Sequence, residues 1–386
     1  MGILGLITLS LFHFPVALAL GTVACAGYTW IWWQASRTTL NSKSDCAAAA
    51  SPVCLIVACR NEATAIPDFF EHLKAVRGPL IQVIWIDDHS DDGSLELAQR
   101  CAHEFDIETQ VQALPEGKQG KKAALNAAQA LIADPVQWIW YTDADCLLQP
   151  NSLEALLSAA PDRGAVLGGL HFKGHRSFLS QYQQMENAAL LLLTRWGLER
   201  KKLWMANGGN LLMHRSIQQT RSKPEWSGGD DIFTLETLHA QNPAKVAMAA
   251  VAVGCVHTGV ETGFFPFLDQ RLRWMRKTTA QVEKSTLEMQ FFMGLFAALP
   301  WVFLIRAGFF VPHESAAYGG LALLAWVFKI NVDLWVVLPA LRRSGQIIPR
   351  SWAWALSIFQ TLWLPILGLA AQLPISFSWK GRKLRA

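Results

Sequence analysis

Hydrophobic and polar positions divide the chain into regions of different periodicity. From Ile3 to about Trp33 the sequence is almost wholly apolar, and the first 36 residues contain no Lys, Arg, Asp or Glu. A run of that length crosses a hydrocarbon core of about 30 Å as a helix. Its start, Met-Gly-Ile-Leu-Gly, is not basic, unlike a cleaved signal peptide, and Trp30, Trp32 and Trp33 suit the aromatic belt of a bilayer surface. Residues 1–36 are therefore read as a retained transmembrane anchor, with Pro15 a point of kinking. Three further apolar segments follow at about 290–311, 316–340 and 352–376. The middle one carries Lys329 and Asp333, which share a helix face. Isolated charges are costly in lipid, so this spacing points either to a functional site within the membrane or, as the favoured reading, to a self-neutralising pair turned toward neighbouring helices. Pro365 interrupts the last segment, which leaves a full span, a re-entrant segment and an interfacial one all open.

Between these ends the period changes. Short β-prone runs alternate with amphipathic stretches, which predicts an α/β domain over 51–289 with a mainly parallel sheet and crossover helices. Val53–Ala58 reads as a strand and Thr64–Val76 as the helix after it. A strand at Leu80–Ile86, helices near Ser94–Glu104 and Lys122–Ala133, and a strand at Val136–Thr142 follow. Each strand ends on polar residues, and open α/β sheets bind ligands at the carboxyl ends of their strands. Residues 37–50 read as a linker, 290–376 as a membrane region of two or three apolar segments, and 377–386 as a basic tail.

Composition and charge sharpen this division. Of 386 residues, 52% are hydrophobic and 17% charged, against about 45–50% and 25% in ordinary soluble proteins. The net charge of +4 is unevenly placed: residues 37–289 hold 25 Lys and Arg against 28 Asp and Glu, so the excess of basic residues flanks the apolar segments. That distribution removes the footprint of a nucleic-acid-binding protein and supplies a topology signal, including possible contact with membrane lipids. Arg37, Lys43, Arg342, Arg343 and Arg350 fall on one side if the first three segments each span, which predicts a multi-pass protein of a bacterial inner (plasma) membrane with 51–289 in the cytoplasm. The tail Lys380–Arg385 opposes that orientation if the last segment also spans. Seven cysteines form no zinc-type spacing and suit a reduced compartment.

Candidate chemistry sits at the predicted strand ends. The first delivers Arg60-Asn61-Glu62 and the second Asp87-Asp88. Such carboxylates accept hydrogen bonds from a ribose hydroxyl or a uracil imide, although the following Asp-Asp-Gly-Ser is equally a turn and cap signal. Gly117–Lys122 combines glycines with cations before a helix, suited to phosphate or simply to solvent. Asp143-Ala144-Asp145 follows a hydrophobic strand, where paired carboxylates can hold a divalent cation by oxygen. Asp230-Asp231 opens a helix predicted over Ile232–Ala240, as a cap or as a general base. Gln270, Arg273 and Trp274 share a helix face, a combination suited to a diphosphate and a sugar ring or to a helix approaching a bilayer. His257 reads as a structural histidine rather than a further metal ligand.

In this order the motifs resemble the membrane-embedded members of glycosyltransferase family 2, which have the GT-A fold. The resemblance covers about residues 51–280 plus the membrane layout. It implies that Glu62 and Asp88 contact the nucleoside, that Arg60 and Asp87 also bind the nucleotide sugar, and that Lys121 or Lys122 lies near the donor. It further implies that Asp143 and Asp145 hold Mg²⁺ or Mn²⁺ on the diphosphate, and that Asp231, or Asp230 in its place, is the base of a single inverting displacement. Asn207, Gly208 and Gly209 fall where the family has an acceptor-side loop, and Gln270, Arg273 and Trp274 where it closes over diphosphate and acceptor. The expected partners are a nucleotide sugar, commonly UDP-linked, and a lipid or glycan acceptor. The layout favours a lipid, as in ceramide-glucosyltransferase-like members. A processive polysaccharide synthase, and a non-catalytic membrane subunit keeping the same fold, are the alternatives.

Overall fold

Val53–Cys59 is apolar throughout because both of its faces are covered, and it lies inside a sheet. The computed structural model describes residues 14–38, 51–217, 230–279, 284–309, 315–343, 349–371, 373, 377–379 and 382–384. Its elements are α1 (Phe14–Ser36), β1 (Val53–Cys59), α2 (Ile66–Lys74), β2 (Leu80–Asp87), α3 (Ser94–His103), β3 (Glu108–Ala113), α4 (Lys121–Gln129), β4 (Trp138–Asp143), α5 (Ser152–Ser158), β5 (Ala165–Leu167), β6 (Gly169–Lys173) and α6 (Phe178–Glu199). They continue with β7 (Asn210–His214), α7 (Asp230–Gln241), β8 (Val246–Met248), β9 (Cys255–Gly259), α8 (Phe264–Thr279), α9 (Lys284–Phe309), α10 (Ser315–Val332), α11 (Leu338–Arg343), α12 (Arg350–Ala370), β10 (Phe377–Trp379) and β11 (Arg382–Leu384). Two compact units result, one holding α1 and α9 to α12, the other the remaining elements.

In the second unit a seven-stranded sheet runs β3-β2-β1-β4-β7-β5-β8. The pairs β3–β2, β2–β1, β1–β4 and β5–β8 are parallel, while β7 runs antiparallel to both neighbours. A separate parallel ribbon joins β6 to β9. Helix α2 has an apolar face, Ile66, Phe69, Phe70 and Leu73, whose spacing suits one side of a helix. Phe69 and Phe70 place their rings 5.1 and 5.6 Å from that of Trp85 on β2. Burying three such side chains contributes on the order of several kcal/mol before conformational entropy is subtracted.

From β1 to β4 the elements differ from the sequence reading at their ends and in one added strand. Strand β3 is not among the predicted elements, because Glu-Thr-Gln-Val-Gln-Ala lacks an apolar run; among the described residues it pairs with β2 alone, at the sheet edge. Strands β1, β2 and β4 each end one residue later than predicted, so that Cys59, Asp87 and Asp143 are their last residues, and β4 begins at Trp138 rather than Val136. Asp87 lies opposite Cys59 and Asp143 opposite Ala58 on β1, so the two acids end the strands on either side of β1 at nearly one level.

In the first unit, three stretches are long and apolar enough to cross a membrane by length and composition: Phe14–Ser36, Ala316–Val337 and Trp352–Ala370. Helix α9 contains a shorter apolar stretch, Met293–Gly308. Between α10 and α11 the chain widens into a π-helical turn, Asp333–Val337. The ammonium of Lys329 donates to Oδ2 of Asp333 at 2.5 Å and to Oε1 of Gln360 at 3.2 Å. Tyr28 donates to Oδ1 of Asp333 at 2.7 Å, and Ser357 to its Oδ2 at 2.5 Å. One carboxylate thus ties α1, α10 and α12 together, and the buried pair faces its neighbouring helices as its spacing predicts.

Candidate active site at the strand ends

Three loops leaving the sheet are bonded into one another. Arg60, just beyond β1, donates Nη1 to the carbonyls of Asp88 and His89, both at 2.6 Å. The amide of Glu62 donates to Ser94 Oγ at 2.8 Å and that of Ala63 to Asp92 Oδ2 at 3.0 Å. Asn61 and His89 both take positive φ, 51° and 54°, a conformation uncommon for residues with a side chain and found where a loop is tightly specified. Asp87 is buried and accepts from Ser90 through both the amide, at 2.8 Å, and the hydroxyl, at 2.5 Å. It therefore shapes the turn that carries Asp88.

Asp88 reaches the next loop: its Oδ2 accepts from the amide of Gly120 at 3.0 Å. Gly120 has φ 92°, which favours glycine, and it opens α4 with Lys121 as the first helical residue. The ammonium of Lys121 donates to Oδ1 of Asp143, joining this loop to the end of β4. Glu62, Asp88, Lys121 and Asp143 are thereby gathered into one set of bonded loops, with Lys122 the second residue of α4.

Beyond β4 the chain turns through Ala144, which is buried, and presents Asp145, which is exposed. Thr258 on β9 donates to Asp145 Oδ2 at 3.1 Å, while backbone bonds between Leu147 and His257 fasten this turn to the same strand. Oxygens of Asp143 and Asp145 and the sulfur of Cys146 lie within 4.8 Å of one another. Burial holds the Cys146 thiol well above its ordinary pKa. That leaves the two carboxylates as hard oxygen donors, a set that fits Mg²⁺ or Mn²⁺. His257 belongs to a different cluster, with His171 and Cys255; burial, with Lys173 nearby, lowers its pKa to about 4.

On the other side of Asp143, a Cβ added to Gly209 would stand 3.2 Å from Asp143 Oδ2. The carbonyl of Gly209 accepts from Thr142 at 2.9 Å. Asn207 donates to the carbonyl of Gly168 at 3.3 Å and accepts from the amide of Asn210 at 3.1 Å. The loop Asn207–Gly209 is therefore held against the end of β4. Asp230 and Asp231 form the start of α7 by backbone, and their side chains lie outside the described residues, as does the segment 218–229.

Arg273 on α8 has its pKa lowered by burial, against the opposing charges of Glu261, Asp269 and Asp143. Asp143, at the end of β4, is thus one of the charges that act on this guanidinium. Gln270 donates to Glu261 at 3.2 Å, and Trp274 stacks on Phe172 with centroids 6.3 Å apart. Two residues that sequence reasoning missed complete this region. Thr258 bears no motif, and Arg271 lies off the face shared by Gln270, Arg273 and Trp274; yet Arg271 is only 2% exposed. A charged residue between the motif positions was the available signal.

Residues 54–221 match the family model described as Glycosyl transferase family 2. No curated protein sequence matches the chain. Among solved structures, the mannosyltransferase PcManGT from Pyrobaculum calidifontis, in complex with GDP-Man and Mn²⁺, is similar at 18% identity over 91% of this chain and 98% of its own, with a TM-score of 0.53. Mannosyl-3-phosphoglycerate synthase from Rubrobacter xylanophilus aligns at 14% identity over 61% of this chain and 77% of its own, with a TM-score of 0.39. Glucosyl-3-phosphoglycerate synthase from Mycobacterium tuberculosis, in complex with phosphoglyceric acid, aligns at 14% identity over 65% and 80%, with a TM-score of 0.37. The chain carries a glycosyltransferase family 2 domain with the GT-A fold, and is a nucleotide-sugar-dependent glycosyltransferase.

Proposed function

We propose that this enzyme moves a sugar from a nucleotide sugar, UDP-linked by the habit of the family it resembles, to a lipid acceptor in the membrane, with inversion at the anomeric carbon. The observation that carries the catalytic part is the convergence of Glu62, Asp88, Lys121 and Asp143 in one set of bonded loops at the strand ends. The lipid acceptor is supported by the presence, in one chain, of this domain and of helices apolar enough to cross a bilayer. An acceptor dissolved in the same membrane shares a surface with its enzyme, which raises its local concentration.

In this reading Glu62 and Asp88 accept hydrogen bonds from the nucleoside, in a loop that Arg60 and Asp87 hold in shape. Asp143 and Asp145 would hold Mg²⁺ or Mn²⁺, whose charge supplies neutralisation of the diphosphate. Lys121, with Lys122 beside it, adds positive charge on the donor side. Asp231, with Asp230 the alternative, takes the proton of the acceptor hydroxyl as that oxygen attacks the anomeric carbon. The bond from that carbon to the diphosphate breaks in the same step, so the configuration inverts once. Asn207, Gly208 and Gly209 border the acceptor, and Gln270, Arg273 and Trp274 close over diphosphate and acceptor. The basic loops orient the catalytic domain toward the cytoplasm of a bacterial inner membrane.

The test uses the full-length protein in detergent, a radiolabelled nucleotide sugar and a bacterial lipid extract. A discrete labelled glycolipid extracted into organic solvent is expected. Label retained in an aqueous polymer would replace this reading with a polysaccharide synthase, and absence of transfer from every donor tried would overturn both.

A further inference from the structure

Arg271 is among the largest fully buried side chains, and it carries a charge. Its Nε and Nη2 reach Glu186 Oε2 on α6 at 2.7 and 2.6 Å. Its Nη1 donates to Oε1 of Gln270. Its guanidinium carbon lies 4.5 Å from the centroid of Trp274, 4.6 Å from that of Phe267 and 5.9 Å from that of Phe172. Helix α6 supplies the surrounding support: Tyr182 donates to Glu186 at 3.3 Å, and Gln183 brackets the backbone of Glu261, the acceptor for Gln270.

A buried ion pair is a poor device for stability alone, since apolar side chains of similar volume serve as well or better once desolvation is counted. What a planar guanidinium adds is direction. It donates in its own plane to Glu186 and Gln270, and it offers its faces to aromatic rings. Two of the three motif residues, Gln270 and Trp274, are thus oriented through the one between them.

We propose that Arg271, held by Glu186, is the positioning residue of the Gln270-x-x-Arg273-Trp274 motif: it sets the amide of Gln270 and the indole of Trp274 in the geometry that transfer requires. The inference rests on the reading that this motif closes over diphosphate and acceptor.

The test compares full-length variants in detergent by turnover, UDP affinity and thermal midpoint. Glu186→Leu alone leaves a guanidinium buried without its counter-ion and is expected to lower the midpoint. The double variant Glu186→Leu/Arg271→Met restores an apolar contact. It is expected to keep the parental midpoint, to bind UDP within about threefold of the parent, and to lose at least about tenfold in kcat, because small misplacements of positioning groups are costly. Arg271→Lys keeps a charge opposite Glu186 but loses the planar stack and the fixed bond to Gln270, so it is expected to fold with reduced kcat even if the double variant does not fold. Parental kcat in whichever of these two variants folds, or a fall in kcat matched by the loss of folded protein, overturns the proposal. Arg273→Ala separates the two levels: if it retains parental turnover, the motif reading itself fails, whereas an inactive Arg273→Ala beside a fully active Arg271→Lys removes only the positioning role.

Discussion

The ammonium of Lys121 donates to Oδ1 of Asp143, so a residue 22 positions earlier already partners the first carboxylate of Asp143-Ala144-Asp145. A divalent cation must share Asp143 with it or displace it. The two side chains are 32% and 40% exposed, so the pair is worth no more than about 1 kcal/mol. Replacing Lys121 by Met should therefore strengthen Mn²⁺ binding in the absence of nucleotide by up to about fivefold, while weakening UDP binding. Manganese titration by electron paramagnetic resonance, with calorimetry for UDP, reads both signs. Parental values for both would show that Lys121 has no part in the site.

Asp231→Asn should separate binding from chemistry. An asparagine keeps the size of the side chain but cannot take a proton, and loss of a general base costs about 10²–10⁴ in rate. UDP affinity should stay at the parental value, with Asp230→Asn the smaller of the two losses. Equal turnover in Asp231→Asn and the parent would remove Asp231 as the base, and a larger loss in Asp230→Asn would exchange the two roles.

Asn210 is a stability prediction. Its side chain is fully buried, accepts from Trp140 Nε1 at 3.0 Å, and donates to the carbonyls of Gly169 and Gly254 at 2.9 and 2.8 Å. Asn210→Ala strands three buried groups, each costing about 1–3 kcal/mol, so a loss of about 3 kcal/mol or more is expected. Gly168→Ala should be similarly damaging, since its Cβ would fall 2.1 Å from Asn210 Nδ2. Thermal midpoints within about 1 °C of the parent for both variants would contradict this packing.

The pKa of His257 gives a pH dependence with a definite sign. Burial, with Lys173 nearby, lowers it from 6.5 to about 4, so the folded chain keeps this imidazole neutral where the unfolded chain protonates it. Unfolding then takes up a proton between about pH 6.5 and 4, and stability falls as pH falls through that window. His171, lowered by burial in the same cluster, adds in the same direction. The drop in thermal midpoint between pH 7 and pH 5 should shrink in His257→Gln. An unchanged drop would mean that other groups set the dependence.

Much of the fold was legible because apolar strands such as Val53–Cys59 declare themselves by composition, and because each apolar run stops abruptly at polar residues. Edge strand β3 was not, since its polar residues are placed by pairing with β2 rather than by their own burial. The strand-end loops were found through Arg60, Glu62, Asp88, Lys121, Asp143 and Asp145. What spacing could not reveal was how they are held: Asp87 in its own turn, Asp88 on the amide of Gly120, Asp145 on Thr258 from a distant strand. Arg271 escaped because helical periodicity marks faces, whereas its role depends on a carboxylate 85 residues earlier. The pair Lys329–Asp333 was visible from its spacing, but its partners Tyr28 and Ser357 come from other helices.

The central claim is that carboxylates at the strand ends serve transfer from a nucleotide sugar. Release of nucleoside diphosphate from a panel of nucleotide sugars, by purified full-length protein with Mn²⁺ or Mg²⁺ and by its Asp145→Ala variant, tests it most directly. Turnover of at least one donor, lost in chelator and lost in Asp145→Ala, is the predicted result. Turnover that persists in chelator and in the variant, or none from any donor by the parent, would contradict it.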